Sequence, residues 1–159
     1  MTELEQSIKL KRGFRSLREE AMLNLVRTVD QTQIAFTRLF REHGITPQQY
    51  NVLRILSGAG EPLPCLEVAA RMVTVVPAIT GLIDRLEKAG LAVRKRCADD
   101  RRIIFVELTP GGRGLLKALE EPVDRLHEEL LGQLTDTELK TLIRLAAKAR
   151  ETAEERNGA

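Results

Sequence analysis

The chain has 159 residues, a length typical of one domain, and 43% of them are hydrophobic, which suffices for a core without disulfides or metal. Only 3% are aromatic, so the core must be aliphatic, a composition that favours helix. The net charge of +2 is too small to indicate nucleic acid by itself, and no segment suits a signal peptide or membrane span. We therefore expect a cytoplasmic protein with reduced cysteines.

The first predicted elements are two helices. No Pro or Gly interrupts residues 14–43, and apolar residues recur there at helical spacing until Gly44, which predicts one long helix. A second helix is predicted to begin after Thr46, because Pro47 suits the first helical position and Gln49 can complete a capping box. The apolar face of this second helix consists of Val52, Leu53 and Leu56.

A short helix, a tight turn and a longer helix are predicted next. The short helix covers residues 65–72, residues 73–74 form the turn, and the longer helix then runs to Ala89, where Gly90 ends it. The predicted inward residues are Leu66, Ala69 and Met72 in the short helix, and Ile79, Leu82, Ile83 and Leu86 in the longer one.

The strongest concentration of positive charge lies in a predicted hairpin with strands at 91–96 and 102–108. In the second strand, Ile104, Val106 and Leu108 alternate with the residues between them and are predicted to anchor the hairpin to the core. A short helix, a turn, a second helix and a basic hairpin, in that order, are typical of a winged helix-turn-helix. The five basic residues of this segment are Arg94, Lys95, Arg96, Arg101 and Arg102.

Two further helices are predicted to complete the chain. Between residues 116 and 130 apolar residues step by three and four, a short heptad pattern, and Thr135 with Glu138 gives the last helix its own capping box. The predicted fold class is mainly α with a small β-hairpin. In it, a winged helix-turn-helix lobe is flanked by long helices that carry more apolar surface than the lobe can cover.

Three segments together resemble the MarR family of bacterial transcription regulators. They are ITPQQYNVLRIL, RMVTVVPAITGLIDRLEKAGL and DDRRIIFVELTPGG, and the resemblance runs in order from about residue 36 to residue 116. Its most specific part is the Asp-Arg-Arg of the wing, followed at a fixed distance by Leu-Thr-Pro-x-Gly.

The resemblance implies a homodimeric repressor or activator whose first and last two helices interlock. Within a single domain of residues 1–159, the implied dimerisation region is 1–44 with 113–159, and the implied DNA-binding lobe is 45–112, with the wing at about 91–108. The expected dimerisation residues are Leu17, Leu25, Val29, Leu116, Leu119, Val123, Leu126, Leu130, Leu139, Leu142, Ile143 and Ala146.

The resemblance also implies where DNA would be contacted. The helix that ends at Ala89 would enter the major groove, whose width of about 12 Å admits a slim helix face, and Thr80 could hydrogen-bond a base edge. Arg102 would enter the minor groove with its guanidinium oriented by Asp100. Residues 94–96 would hold phosphates. The expected DNA-contacting residues are Thr74, Val75, Pro77, Ala78, Thr80, Gly81, Asp84, Arg85, Arg94, Lys95, Arg96, Asp100, Arg101 and Arg102.

Gly81 has a second interpretation, as a point of close contact between helices. Many members of the family carry an arginine near this position, and its absence here puts direct readout of guanine in doubt.

An effector is expected because family members often lose DNA affinity when a small phenolic ligand, an oxidant or a metal binds. Two alternatives remain open: a redox or metal response through Cys65, Cys97, His43 or His127, and a protein-interaction module whose basic hairpin grips an acidic partner. No nucleophile motif or phosphate loop is present, so neither an enzyme nor a cofactor is expected. The suggested lining of an effector pocket is Val26, Asp30, Tyr50, Leu53 and Leu116.

Overall fold

A computed structural model describes residues 3–9, 13–75, 78–96 and 103–158. The chain divides into two compact units, Met1–Pro122 and Val123–Ala159. No helix in these ranges is both long enough and apolar enough to cross a membrane. The elements are α1 (Glu3–Ser7), α2 (Leu17–Glu42), α3 (Pro47–Ala59), β1 (Leu63–Pro64), α4 (Cys65–Ala70), α5 (Ile79–Lys88), β2 (Ala92–Arg96), β3 (Ile104–Leu108), α6 (Pro110–Leu131) and α7 (Asp136–Gly158).

Capping residues set the bounds of α2 and α3. Ser16 accepts a hydrogen bond from the backbone N–H of Glu19 at 3.2 Å, and α2 therefore begins at Leu17. The predicted capping box of α3 is confirmed: the Thr46 N–H donates to Gln49 Oε1 at 2.8 Å, and the Gln49 N–H donates to Thr46 Oγ1 at 3.2 Å. Gly44, with φ of +74°, lies in the connection between the two helices.

A single apolar cluster joins α3, α4, α5, the sheet and the start of α6. The predicted inner faces of α3 and α5 are confirmed, since their apolar residues are buried there with Ile79 packed against the cluster. Because every element of the lobe contributes to this cluster, the elements hold fixed positions relative to one another. Its fully buried members are Val52, Leu53, Val68, Ile83, Leu86 and Val106.

The hairpin is part of a three-stranded antiparallel sheet with the order β1-β3-β2. In β3, Val106 and Leu108 are buried as predicted, whereas Ile104 is exposed, because it pairs with Arg96 at the outer end of the hairpin. The strand β1 was not predicted. It is only two residues long, with Leu63 paired to Val106, so it carries no alternating pattern that a sequence could reveal.

Two details of the helix-turn-helix correct the predictions. In α4 the buried residue is Val68, whereas Leu66, predicted to face inward, is 82% exposed. A six-residue helix is too short for periodicity to identify its buried face. The second correction concerns α5, which begins at Ile79 rather than directly after the turn at 73–74. Ala78 provides no capping side chain, so the helix begins where its apolar face begins.

Close backbone contacts join the start of α6 to the end of α5 and the sheet. Thr109 Oγ1 donates to the Gly90 carbonyl at 2.7 Å and accepts from the Gly112 N–H at 3.0 Å. A Cβ on Gly112 would lie 2.2 Å from the Leu91 carbonyl oxygen and 2.7 Å from Leu108 Cδ1. Glycine is therefore required at this position by packing.

The second unit consists of the end of α6, a turn and α7. The predicted capping box of α7 is confirmed, with the Thr135 N–H donating to Glu138 Oε2 at 2.8 Å. This bond and that of the Thr135 hydroxyl hold the pKa of Glu138 below its ordinary value. On α7 itself, Leu142, Ile143 and Leu145 are exposed.

We predict opposite effects from alanine at two glycines of α6. Gly112→Ala should lower the free energy of unfolding by about 1–3 kcal/mol, because the new methyl group overlaps the Leu91 carbonyl. Gly114→Ala is the control, since a Cβ there meets nothing within 4 Å, and it should raise that free energy by up to about 1 kcal/mol. Urea unfolding measures both, and equal stabilisation by the two substitutions would contradict the packing described at Gly112.

Candidate nucleic-acid interface

The outer face of α5 begins with small side chains. The buried residues Leu82, Ile83 and Leu86 hold the inner face against the core, which leaves Ala78 and Thr80 exposed at the start of the helix. Such a face protrudes little beyond the helix backbone, as entry into a major groove requires. The exposed residues of α5 and its N-cap are Ala78, Thr80, Arg85, Glu87 and Lys88, with Gly81 and Asp84 partly exposed.

Gly81 is not explained by packing within one chain. A Cβ at this position would meet no atom within 4 Å, so the interpretation of Gly81 as a close helix contact finds no support in the chain itself. The residue instead adds to the slim outer face of α5.

The turn that precedes α5 is held by a side chain of α3. Asn51 Oδ1 accepts a hydrogen bond from the Val73 N–H at 3.0 Å, across 22 residues of sequence. The side chains of Val73 and Val75 project into solvent, Val75 being 96% exposed, and Thr74 is exposed between them. The turn thus presents apolar and hydroxyl groups while its backbone is tied to the core helix.

Arg94 on β2 is hydrogen-bonded to α5 at several points. Its Nη1 donates to Asp84 Oδ1 at 2.5 Å and to Glu87 Oε2 at 2.9 Å, and its Nη2 donates to the Thr80 carbonyl at 2.9 Å. Its backbone N–H also donates to Glu87 Oε1 at 3.0 Å. Burial has the largest influence on the pKa of Arg94 and lowers it, but Asp84 and Glu87 together outweigh burial and raise it.

The other basic residues of β2 differ from Arg94. The ammonium group of Lys95 lies 2.5 Å from a carboxylate oxygen of Glu107 on β3, yet the Lys95 side chain remains 62% exposed. Arg96, at the end of the strand, is exposed as well. Both cations therefore point to solvent at the outer end of the hairpin, where a phosphate could approach them.

Some of the predicted contact residues lie outside the described ranges. They are Pro77 and, in the predicted wing, Asp100, Arg101 and Arg102. Cys97, which was considered for a redox response, lies outside these ranges too. The orientation of Arg102 by Asp100 therefore stays a prediction.

The expected dimerisation residues divide into three groups by their exposure. Leu116, Leu119 and Val123 are buried within a single chain. Others are exposed, and so are available to a partner: Leu17, Leu25, Val29, Leu142, Ile143 and Ala146. Intermediate exposure is found at Leu126, Leu130 and Leu139.

None of the suggested effector residues lines the cavity that is described between residues 56 and 113. Leu53 and Leu116 belong to the core cluster, and Tyr50 stacks on Phe40 with ring centroids 4.3 Å apart, whereas Val26 and Asp30 are exposed on α2. A cavity of about 270 Å³ has a different lining, formed by Leu56, Ser57, Gly60, Glu61, Pro62, Glu107, Leu108 and Arg113. Nor do three or more His, Cys, Asp or Glu side chains in the described ranges come together as a metal site would require.

Two residues of the site, Asn51 and Glu87, were not predicted from the sequence. Glu87 follows Asp84 by three residues, so the two carboxylates share one side of α5, and this spacing beside a basic strand was a usable signal. Asn51 gave a weaker signal, because a polar residue next to the buried Val52 is common in any amphipathic helix.

The order α3, α4, turn, α5 and basic hairpin, packed on one core, defines a winged helix-turn-helix. Comparison with known proteins identifies the family within this class. The MarR family model matches residues 43–103. The curated HTH-type transcriptional regulator FarR of Neisseria gonorrhoeae is 32% identical over 79% of this chain and 88% of its own length.

Solved structures of MarR-family proteins are similar to this chain as well. A MarR transcription factor from Planctomyces limnophilus is 43% identical, with a TM-score of 0.67 over 85% of this chain and 98% of the other. A mutant MarR from E. coli, complexed with operator DNA, is 29% identical, with a TM-score of 0.69 over 84% and 98%. NadR, in complex with 4-hydroxyphenylacetate, is 28% identical, with a TM-score of 0.67 over 87% and 97%.

The chain belongs to the MarR family, and it is a transcription regulator of the winged helix-turn-helix class.

We predict that Asn51 fixes the turn before α5. Asn51→Ala should increase amide hydrogen exchange at Val73 and lower the free energy of unfolding by about 0.5–1.5 kcal/mol, because one hydrogen bond is lost. Asn51→Asp keeps the acceptor oxygen and should retain the slow exchange. If exchange at Val73 is the same in the wild type and Asn51→Ala, the side chain does not hold the turn.

Proposed function

We propose that the chain is a cytoplasmic, homodimeric repressor that binds double-stranded operator DNA and is released by a small ligand. It would act by binding and not by catalysing a reaction. In this proposal residues 45–112 form the DNA-binding lobe, and residues 1–44 with 113–159 form the dimerisation region.

The observation that carries the proposal is the outer face of α5 beside the basic strand β2. Ala78, Thr80 and Gly81 leave the helix slim where it would enter the groove, and Lys95 and Arg96 are exposed nearby for phosphates. The related MarR of E. coli was solved with operator DNA, which supports the same use of this surface here.

The surface of α2 supports dimerisation. All 26 residues of this helix are described, and Phe40 alone is buried, although the helix carries many large apolar side chains. Exposed apolar surface of this extent marks an interface. The exposed apolar residues of α2 are Leu17, Met22, Leu23, Leu25, Val26, Val29 and Ile34.

The proposed effector is a small aromatic acid. NadR was solved with 4-hydroxyphenylacetate. This chain is 28% identical to NadR over 97% of the NadR chain. The suggested lining, which includes the exposed Val26 and Asp30, would need a second chain to close it. Ligand binding would then favour one dimer geometry over another and so change the DNA affinity.

We predict that substitutions on α5 and on β2 affect DNA binding differently. Gly81→Ala should leave the fold intact and change the preference among operator variants, because the methyl group would project into the groove. Lys95→Ala should weaken binding to all sequences about equally and reduce the salt slope by about 1, as expected for a phosphate contact. Arg102→Ala should weaken binding to A·T-rich minor grooves most.

Fluorescence anisotropy with labelled duplexes, at several salt concentrations, separates these effects. A wild-type protein that binds acidic polypeptides in preference to any duplex would instead favour a protein-interaction module.

We predict that a charge on the apolar side of α2 prevents dimerisation. Val29→Glu should shift the protein from dimer to monomer or to unfolded chain in sedimentation experiments, because a carboxylate would be buried in the interface. Gln31→Glu is the matched control, since it lies about 200° around the helix from Val29. A dimer that tolerates Val29→Glu as well as Gln31→Glu would contradict this interface.

A further inference from the structure

We propose that Arg94 is a positioning residue for DNA recognition, which acts through Asp84 and Glu87 of α5 and not by contacting a phosphate. This inference rests on the proposed DNA-binding function. It replaces the expectation that residues 94–96 all serve as phosphate contacts.

The guanidinium group of Arg94 is engaged by α5. Three of its N–H···O contacts run to α5: two from Nη1 to carboxylates and one from Nη2 to the Thr80 carbonyl. The Arg94 side chain is 19% exposed. A phosphate approaching Arg94 would have to break bonds to two carboxylates. On the same strand Arg96 is exposed, and Lys95 remains 62% exposed although it pairs with Glu107.

The two carboxylates that Arg94 contacts lie close to the surface proposed to bind DNA. Asp84 and Glu87 are partly exposed, and both contact Arg94 on the side of α5 that is next to β2. Unpaired carboxylates there would repel the phosphate backbone. Arg94 places a cation against both, and the short contacts cancel part of that repulsion without adding a charge for DNA to bind.

The contacts of Arg94 are spread along α5. The acceptors on α5 extend from Thr80 to Glu87, a rise of about 10 Å along the helix axis. A single side chain of β2 therefore fixes both the position of α5 and its rotation relative to the hairpin. Thr80 is itself an outward residue, so the bond to its carbonyl helps to set where a base-contacting side chain would lie.

The two roles for Arg94 predict different results in a double-mutant cycle. If Arg94 acts through the carboxylates, removing it should matter much less once they are absent. If Arg94 contacts a phosphate, its removal should cost the same factor in either background and lower the salt slope by about 1.

The experiment compares full-length wild type, Arg94→Gln, the double variant Asp84→Ala/Glu87→Ala, and the triple variant. The DNA is an operator duplex selected from a random pool with the wild-type protein, together with a scrambled duplex. Arg94→Gln should reduce operator affinity about tenfold or more in the wild-type background and less than about threefold in the background without the carboxylates. Operator preference over the scrambled duplex should fall in the first case.

Arg94→Lys keeps the experiment decisive if Arg94→Gln fails to fold. Lysine retains the charge but cannot reach both carboxylates and the Thr80 carbonyl together, so operator preference should still fall, whereas lysine would largely replace a phosphate contact. Equal losses in both backgrounds, or full function of Arg94→Lys, would overturn the inference. A wild-type protein that selects no operator would instead refute the proposed function itself.

Discussion

The proposed DNA-facing surface depends on the burial of one side of α5. Ile83 and Leu86 are fully buried together with Leu53 of α3 and Val106 of β3, and complete burial of such side chains contributes about 1.5–3 kcal/mol each. Because the apolar side of a ten-residue helix is committed to this core, the small residues on its other side must face solvent. The hairpin is fixed by the same core, since Val106 is buried in it.

Polar contacts then fix the orientation of the elements that the core brings together. Asn51 holds the turn before α5, Arg94 ties α5 to β2, and the tight junction at Gly112 joins α6 to the end of the sheet. Burial of apolar side chains is not directional, so these contacts fix the orientation of each element relative to its neighbours. Core burial brings the elements together. The hydrogen bonds then determine which groups of α5 and β2 face solvent and in which orientation.

Much of this architecture could be predicted from the sequence because its signals are local. Capping boxes, glycines at helix ends and apolar spacing depend on neighbouring residues, and they indicated α2 to α7 and both hairpin strands. The five-residue α1 was not predicted. Two kinds of structural feature were not predicted. Very short elements such as β1 and α4 carry no periodicity. The strand at Leu63 and the exposure of Leu66 could therefore not be predicted from the sequence. Contacts between distant residues, such as Arg94 with Asp84, depend on the assembled fold. Heptad spacing likewise identified Leu116 and Leu119 as one face, but not that the same chain buries them.

We propose that α5 and the hairpin recognise a specific DNA sequence as part of a symmetric dimer. Selection of binding sites by the purified protein from a random pool of DNA duplexes tests this claim most directly. We expect enrichment of a pseudo-palindrome whose half-sites are about 10 base pairs apart, one for each lobe. Recovery of sequences with no shared motif, or of a single half-site without its symmetric partner, would contradict the account.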